Sequence, residues 1–225
     1  MLKVYHKGDS PEIGIDEAGR GPLWGPMMAA AVLLPNETEW TLAHREFVKS
    51  IKDSKKISEK KRNTISVQIK EFAIAYGIGK VSPEEIDEWG ATRANQTAFR
   101  RALQDLYTKY RPSKSLILID GTLSLSSTED GEEQETIIDG DATYLSIAAA
   151  SILAKVAHDT WVIDWCKENV ADASKYDLVH CKGYGTSKHR DGILKHGFTE
   201  LHRRLYLRKL IPNITVSRCK LIIDD

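Results

Sequence analysis

Apolar and polar residues alternate along the first half of the chain in a way that predicts several short strands. Residues 12–17 are an apolar run that ends in two acids, and residues 27–34 form a second apolar run soon after it. Two runs this close are expected to pair antiparallel, because a parallel pair needs a longer crossover. A third strand is predicted at residues 72–79, ending in glycine. Residues 116–119 are all Leu or Ile, which is typical of a short buried strand.

Helical patterns separate these strands. Residues 58–71 are highly charged, and the run Ser82-Pro83-Glu84-Glu85 combines a capping serine, a proline at the first helical position and a glutamate three residues after the cap. Residues 91–110 carry alanines at four-residue steps, and residues 144–165 form a helix whose middle is poor in bulky side chains. Strands interleaved with helices predict an α/β fold, a mixed sheet with helices packed on it.

The remaining segments are less regular. Residues 128–135 are acidic and contain glycine, so we expect an exposed loop there. The last forty or so residues carry little strand signal and read as a helical appendage. A chain of 225 residues can form one large domain. We therefore expect residues 1–180 to form the core of that domain and residues 181–225 to form a helical segment that belongs to it.

Composition narrows the possible partners and compartments. The chain has 32 Lys plus Arg against 32 Asp plus Glu, so attraction to a polyanion must come from local clusters of charge. Its three cysteines, Cys166, Cys181 and Cys219, are too few and too scattered for a zinc site or a disulfide framework, which predicts reduced thiols in the cytoplasm. No apolar segment has the length of a membrane span, and the start of the chain has no apolar signal core.

The strongest chemical signal is the pair Asp16 and Glu17 at the end of the first predicted strand. A core strand has little use for two neighbouring carboxylates, because burying an unpaired charge costs several kcal/mol. A site for divalent cations does need them, and the glycines that follow let a ligand come close to the backbone. The alternative is a strand that ends in an exposed acidic turn.

Two further acids stand at similar places. Asp120 closes the strand at residues 116–119, and Asp141 precedes the helix poor in bulky side chains. Each has an ordinary alternative, since Asp-Gly is a common turn and Asp is a common N-cap. With Asp16 and Glu17, however, four acids could meet at one edge of the sheet, where α/β folds place their chemistry. Oxygen ligands of this kind favour Mg²⁺ or Mn²⁺, and two such ions about 3.5–4 Å apart suit the hydrolysis of a phosphodiester.

Basic residues provide candidates for phosphate binding. Lys55 lies in a short basic run just before a predicted helix. Residues 182–209 contain eight Lys or Arg against two acids, a local charge of plus six, with Tyr184 among the interleaved aromatic residues. This pattern is typical of a surface that binds a nucleic-acid backbone and stacks on bases. A solvated basic face would show the same pattern.

Histidines are also frequent in this stretch, namely His180, His189, His196 and His202. Their spacing fits no tight metal-binding motif. We therefore interpret them as hydrogen-bonded or phosphate-facing side chains rather than zinc ligands.

Several motifs, taken together in chain order, carry a family resemblance. They are GIDEAGRGP at residues 14–22, DSKK at 53–56, IDG at 119–121, GD at 140–141, IAAASILAKV at 147–156, KGYGT at 182–186 and HRR at 202–204. In this order and over most of its length, the chain resembles a type 2 ribonuclease H, the ribonuclease HII family.

The resemblance implies a fold, an activity and a cofactor. The fold would be a ribonuclease H-like mixed sheet flanked by helices, with a helical C-terminal segment. The activity would be endonucleolytic cleavage of the RNA strand of RNA/DNA hybrids, and incision 5′ of single ribonucleotides embedded in duplex DNA. Asp16, Glu17, Asp120 and Asp141 match the family's catalytic carboxylates, which hold two Mg²⁺ or Mn²⁺ ions. The products would carry 5′-phosphate and 3′-hydroxyl ends, and the enzyme would act as a monomer.

The resemblance also assigns substrate contacts. Gly19, Arg20 and Gly21 match a turn that senses the 2′-hydroxyl of the ribonucleotide, the group that separates RNA from DNA. Tyr184 matches an aromatic residue that packs beside that nucleotide, and Lys55 matches a phosphate contact.

Four positions depart from the family's usual pattern: Asp139, His158, Cys181 and Trp24. They stand where a lysine, an arginine, a histidine and a small residue are frequent, and they bear on rate and pH preference. Two other functions remain open from the sequence. One is a protein that binds hybrids without cleaving them, and the other is a hybrid nuclease without preference for the RNA–DNA junction.

Overall fold

A single five-stranded sheet forms the centre of the protein. A computed structural model describes residues 2–52, 54–129 and 131–211. The strands are β1 (Glu12–Ala18), β2 (Met27–Leu33), β3 (Ala75–Val81), β4 (Ser115–Asp120) and β5 (Glu132–Ile137). Their order across the sheet is β3-β2-β1-β4-β5; β1 pairs antiparallel with β2 and β2 with β3, while β1 pairs parallel with β4 and β4 with β5. The predicted mixed sheet, including the antiparallel pairing of its first two strands, is confirmed.

Helices cover both faces of this sheet. Within the described residues they are α1 (Leu42–Val48), α2 (Glu59–Phe72), α3 (Pro83–Tyr107), α4 (Leu145–Glu168), α5 (Val170–Lys175), α6 (Leu178–Cys181), α7 (Ser187–His196) and α8 (Arg204–Leu207). Short 3₁₀ turns lie at Glu37–Glu39, Ser54–Lys56 and Gly140–Ala142. None of the helices in these parts of the chain is long and apolar enough to cross a bilayer.

Helix α3 begins where the sequence predicts and ends at Tyr107 rather than at residue 110. The Ser82 side chain accepts a hydrogen bond from the Glu85 backbone N–H, and the Glu85 carboxylate accepts one from the Ser82 N–H, which completes a capping box. The helix then runs through a kink at Gly90, whose φ of 80° lies outside the helical region. The predicted helix start and the predicted helix at residues 91–110 therefore belong to two helical segments that meet at this kink.

The sheet separates two apolar clusters. On one face Ile13 and Ile15 of β1 pack with the alanines of α3, including Ala94 and Ala98. On the other face the small residues of α4, such as Ala149, pack with β2 and with α2. Because strand side chains alternate between faces, neighbouring residues of β1 necessarily face different helices.

A third cluster holds the C-terminal helices to this core. Trp24 is fully buried, and its ring lies 5.5 Å from that of Trp161 and 4.7 Å from that of Trp165 of α4. The segment around Trp24 pairs with the chain near His202 through an isolated antiparallel bridge. The large side chain at position 24 thus fills the space between α4 and the segment that follows α7.

The expected exposed loop at residues 128–135 is wrong in its second half, which belongs to β5. This strand carries few apolar residues because it lies at the edge of the sheet and is only partly buried. Its polar side chains have partners instead. The Tyr107 hydroxyl donates a 2.7 Å hydrogen bond to Glu132, and Glu135 pairs with His6 and Lys7.

Candidate active site

Two predicted acids lie side by side near the carboxyl ends of the inner strands β1 and β4. Ile15 of β1 is the register partner of Ile119 of β4, and the strands are parallel, so Asp16 and Asp120 are neighbours at the carboxyl ends of their strands. Asp16 is buried, with 6% of its surface exposed, and it faces α4, where Ser151 stabilises its carboxylate. This is the part of the sheet where α/β folds place ligands.

The neighbouring acid Glu17 faces the opposite side of the sheet. Asn95 of α3 and the guanidinium of Arg20 stabilise its carboxylate, with an Arg20–Glu17 N–O distance of 3.7 Å. The alternative of an exposed acidic turn at residues 16 and 17 therefore does not hold for Asp16. The two acids approach the strand end from two faces.

The electrostatics of these groups are unfavourable for three negative charges. Burial raises the pKa of Asp16 well above its ordinary value, and the carboxylates of Asp120 and Glu17 raise it further. Burial also raises the pKa of Glu17; Asn95, Arg20 and Lys55 oppose this shift, and Asp120 adds to it. Negative charge is thus concentrated at this strand end beyond what the nearby cations offset.

Asp141 is brought to the same place by its backbone. It lies in the 3₁₀ turn Gly140–Ala142, and its N–H is 3.2 Å from Oδ1 of Asp120, to which it donates a hydrogen bond. Asp141 is itself buried, with 7% of its surface exposed. The residue that caps α4 is Tyr144, so the ordinary N-cap interpretation of Asp141 is wrong.

Lys55 lies in the 3₁₀ turn Ser54–Lys56, close to this edge. The turn is held by a 2.9 Å hydrogen bond between the hydroxyls of Ser54 and Ser151 and by Arg62, which donates to the Ser54 carbonyl. Burial raises the pKa of Glu17 and of Tyr184, and the positive charge of Lys55 opposes both shifts, so Lys55 lies within electrostatic range of the carboxylate and of the aromatic ring. Asp53, the first residue of the DSKK motif, lies outside the described residues.

The glycine–arginine–glycine turn (residues 19–21) follows β1 directly. Gly19 has a φ of +79°, and a Cβ built on it would stand 2.4 Å from Cδ2 of His158. This position therefore requires glycine, both for its backbone and for the close approach of the imidazole. His158, one of the residues that depart from the family pattern, is fully buried and donates from Nδ1 to Asp159 at 3.0 Å.

A buried arginine supports the turn from below. The guanidinium of Arg203 donates hydrogen bonds to the carbonyl oxygens of Gly19 at 2.7 Å, Arg20 at 3.1 Å and Gly25 at 2.9 Å. Burial lowers its pKa to about 10, so it stays charged at neutral pH. In the sequence Arg203 is one of eight cations of a basic stretch, and nothing there marks it as buried.

Tyr184 stands beside the turn. Its ring is partly exposed, Cε1 is 3.8 Å from the position of a Cβ built on Gly21, and the Lys155 ammonium lies 5.4 Å from the ring centroid. The N–H of Leu23 donates to the Gly183 carbonyl at 2.8 Å, which joins the two segments. Residues 19–21 and Tyr184 thus form one surface next to the carboxylates.

The donor set fits a hard divalent cation. Asp16, Glu17 and Asp120 affect one another's charge, and a cation among them would relieve their repulsion. Across the described parts of the chain, no three His, Cys, Asp or Glu side chains already converge in the geometry of a bound ion.

Solved structures with the same architecture are known. The chain is similar to the ribonuclease H2 from Pyrococcus horikoshii, with a TM-score of 0.65 and 23% identity over 88% of this chain and 96% of the other. It is also similar to Bst ribonuclease HIII in complex with Mn²⁺, with a TM-score of 0.61 and 18% identity over 84% of this chain and 70% of the other. This chain therefore has the ribonuclease H-like fold of these solved structures.

Sequence comparison gives the family. The profile described as Ribonuclease HII matches residues 13–209. The Ribonuclease HII of Endomicrobium trichonymphae is 41% identical over 199 residues, which cover 88% of this chain and 86% of the relative. The chain belongs to the ribonuclease HII family, metal-dependent endoribonucleases that act on RNA/DNA hybrids. The resemblance found in the ordered motifs is confirmed.

Proposed function

We propose that this enzyme cleaves the RNA strand of RNA/DNA hybrids and also incises DNA duplexes 5′ of single embedded ribonucleotides. The observation that carries this proposal is that Asp16 and Asp120 directly follow the paired residues Ile15 and Ile119 of adjacent parallel strands, and that the Asp141 N–H donates to Asp120. Such a concentration of carboxylates beside a basic surface suits a phosphodiester held through a divalent cation.

The proposed catalytic and metal-binding residues are Asp16, Glu17, Asp120 and Asp141. They would hold two Mg²⁺ or Mn²⁺ ions, which supply activation of the attacking water and stabilisation of the leaving 3′-oxygen. Glu17 approaches from the α3 face and Asp16 from the α4 face, so the set can surround a phosphate from two sides. The products would be 5′-phosphate and 3′-hydroxyl ends.

The proposed substrate-binding residues are Gly19, Arg20, Gly21, Tyr184 and Lys55. The fixed carbonyl and N–H groups of the turn can discriminate a 2′-hydroxyl, because Arg203 holds the turn rigidly. Tyr184 offers a partly exposed ring next to Gly21 for the sugar or base at the junction. Lys55 provides a cation near Glu17 for a backbone phosphate.

The proposed organisation is one domain, with residues 181–225 completing the substrate groove of the core at residues 1–180. The bonds from Arg203 and Gly183 to residues 19–25 support it for the described part of that segment. We further propose a monomer acting in the cytoplasm. Cys181 supports this compartment, because it is a free buried thiol rather than part of a disulfide.

The deciding experiment uses a DNA duplex that carries one ribonucleotide. With Mg²⁺ or Mn²⁺ present, the wild-type enzyme should cut 5′ of that ribonucleotide, and the Asp120→Asn variant should bind the duplex without cutting it. An all-DNA duplex serves as the uncut control. Binding by the wild type without cleavage in either metal would instead identify a protein that only recognises hybrids.

The same assay separates a junction-specific enzyme from a broad hybrid nuclease. If residues 19–21 and Tyr184 sense the RNA–DNA junction, the single ribonucleotide should be cut at one defined position. Equal cutting of that duplex and of an all-RNA hybrid, with no preferred position, would assign the protein to the broad class.

A further inference from the structure

Two buried histidines contact each other behind the candidate substrate surface. His189 lies in α7 and His202 lies just after that helix, and both are almost completely buried, with 0% and 1% of their surfaces exposed. Their Nε2 atoms are 3.2 Å apart, a hydrogen-bond distance. Neither residue contacts the carboxylates of the candidate active site in the described structure, so their role must lie elsewhere.

The outer nitrogen of each ring has a partner in the backbone. The Thr199 N–H donates to Nδ1 of His202 at 2.9 Å. Nδ1 of His189 lies 3.0 Å from the carbonyl oxygen of Tyr184, which also accepts from the Thr186 N–H at 2.8 Å. This hydrogen-bonded pair of histidines, called here the histidine couple, therefore connects the loop at Thr199 to the backbone of Tyr184.

These partners fix the tautomer of both rings. A backbone N–H can only donate, so Nδ1 of His202 must accept, and its proton must be on Nε2. That Nε2–H then donates to Nε2 of His189, whose own proton must be on Nδ1. A carbonyl can only accept, and Nδ1–H of His189 donates to Tyr184. All four ring nitrogens are satisfied only when both histidines are neutral and in opposite tautomers.

The surroundings favour this neutral state. Burial lowers the pKa of both histidines, and the proximity of His189 contributes to lowering that of His202 to about 3. The Tyr176 ring lies 4.8 Å from that of His202, and the Cys181 thiol lies 3.7 Å from Nδ1 of His189. The backbone groups of Tyr184 and Gly183, and to a smaller extent the Asp177 carboxylate, act in the opposite sense on His189, but burial is the larger effect.

We propose that His189 and His202 are positioning residues that set Tyr184 against the glycine–arginine–glycine turn. His202 directly precedes Arg203, which holds the carbonyls of Gly19 and Arg20. One short segment (residues 199–203) thus supports the turn through Arg203 and the aromatic residue through the histidine couple. This inference rests on the proposed function, in which those two elements read the RNA–DNA junction together.

Two substitutions of one histidine separate its two hydrogen bonds. An asparagine amide places its nitrogen close to Nδ1, and a glutamine amide places it close to Nε2. His189→Asn should therefore keep the bond to the Tyr184 carbonyl, whereas His189→Gln should lose it and keep the contact with His202. The measured quantity is the ratio of kcat/KM for a single-ribonucleotide duplex to kcat/KM for an all-RNA hybrid.

His189→Gln should lower this ratio about tenfold, the rate equivalent of one hydrogen bond. His189→Asn should stay within about twofold of the wild type by the same measure. Circular dichroism establishes that both variants are folded. Equal ratios for wild type and both variants would overturn the positioning role while leaving the proposed function intact.

A second measurement does not depend on activity. In ¹⁵N NMR spectra at neutral pH, His202 should carry its proton on Nε2 and His189 on Nδ1. The same tautomer in both rings, or a cationic ring, would overturn the couple. If the wild-type enzyme leaves a single-ribonucleotide duplex uncut, the proposed function fails instead, and the spectra alone decide whether the couple exists.

Discussion

The strand ends at Asp16 and Asp120 and the support segment (residues 199–203) differ in how their polar groups are satisfied. At the strand ends, burial and neighbouring acids raise the pKa of Asp16, so its charge is destabilised. In the support segment, Arg203 and His202 are equally buried, yet each is matched to named donors or acceptors. In the first region the carboxylates repel one another, and a bound cation can relieve this repulsion. In the second region hydrogen bonds hold the backbone of the neighbouring turn in place.

This difference follows from what each region must do. Carboxylates whose charge is already balanced by protein cations are stabilised little by a bound metal ion. Carboxylates that repel one another are stabilised much more by such an ion. A turn that discriminates one hydroxyl must instead be fixed before the substrate arrives, because reorganisation during binding would cost affinity. Substitutions in the two regions should therefore affect activity and stability in opposite proportions.

The largest expected effect is on the rate of the Asp16→Asn variant. Cleavage should fall roughly 10³-fold, equivalent to about 4 kcal/mol of lost transition-state stabilisation. Because the change also removes one of the repelling charges, the melting temperature should rise by about 2–4 °C for each kcal/mol gained. Cleavage assays and thermal melts of the same preparation test both expectations, with the exposed Asp9→Asn as the control. A melting temperature below that of the wild type would contradict the conclusion that repulsion between these carboxylates destabilises the folded protein.

Arg203→Met should show the reverse pattern. Three carbonyl oxygens would lose a charged donor, and after allowance for the relieved burial of charge the protein should lose about 3 kcal/mol of unfolding free energy. Chemical denaturation measures this loss. The matched control is Arg111→Met, which removes an exposed arginine paired with Glu129. A loss no greater than that of the control would show that the turn does not depend on Arg203.

Substitution of two glycines with positive φ compares a position where an added Cβ would clash with one where it would not. Gly19→Ala should cost about 2 kcal/mol or more, because a positive φ is combined with a clash against His158. Gly90→Ala has the same sign of φ but no atom within 4 Å, and should cost only about 1 kcal/mol. Denaturation curves of the two variants give the difference. Equal losses of unfolding free energy in the two variants would mean that the clash with His158 does not contribute to the cost of Gly19→Ala.

The smallest expected effect is a pH dependence of stability. The pKa values of His189 and His202 lie below 6.5 in the folded protein, so the unfolded chain binds more protons as the pH falls through that value. Stability should therefore decrease from pH 6.5 downwards, and for His202 this continues towards a pH of about 3.

Denaturation at pH 7.5, 6.5 and 5.5 should show this loss, with about 1 kcal/mol contributed by His202 over the last step and a loss of the same sign by His189. The raised pKa of Asp16 acts in the opposite direction, so the relevant comparison is with His202→Gln, whose slope should be shallower. Identical slopes in both proteins would contradict the neutral couple.

The sequence predicts the strand-end region better than the support segment. The apolar runs around Asp16 and Asp120 fix strands by their local pattern, and strand ends place acids at one edge without further information. Arg203, His189 and His202 are buried by contacts with distant residues. In the sequence Arg203 looks like a member of a basic surface, and the two histidines are interpreted as hydrogen-bonded or phosphate-facing with no partner named. Their burial is a tertiary property that no local pattern contains.

The edge strand β5 is a second element that the local sequence pattern does not predict. Glu132 and Glu135 read as loop residues because β propensity depends on packing against neighbours. Their strand exists because Arg100, Tyr107, His6 and Lys7 provide partners from elements distant in sequence. Likewise, the proximity of Tyr184 to Gly21 was expected only from the family resemblance.

The acidic edge strand β5 also bears on how separate copies of the protein meet. Backbone groups at the margin of a sheet are a template to which a foreign strand can add, and proteins discourage this with charge. Glu132 and Glu135 of β5 are paired with cations, whereas Glu133 is exposed to solvent. The molecule has no net charge to keep its copies apart, so the charge of Glu133 at this margin disfavours the addition of a strand from another copy.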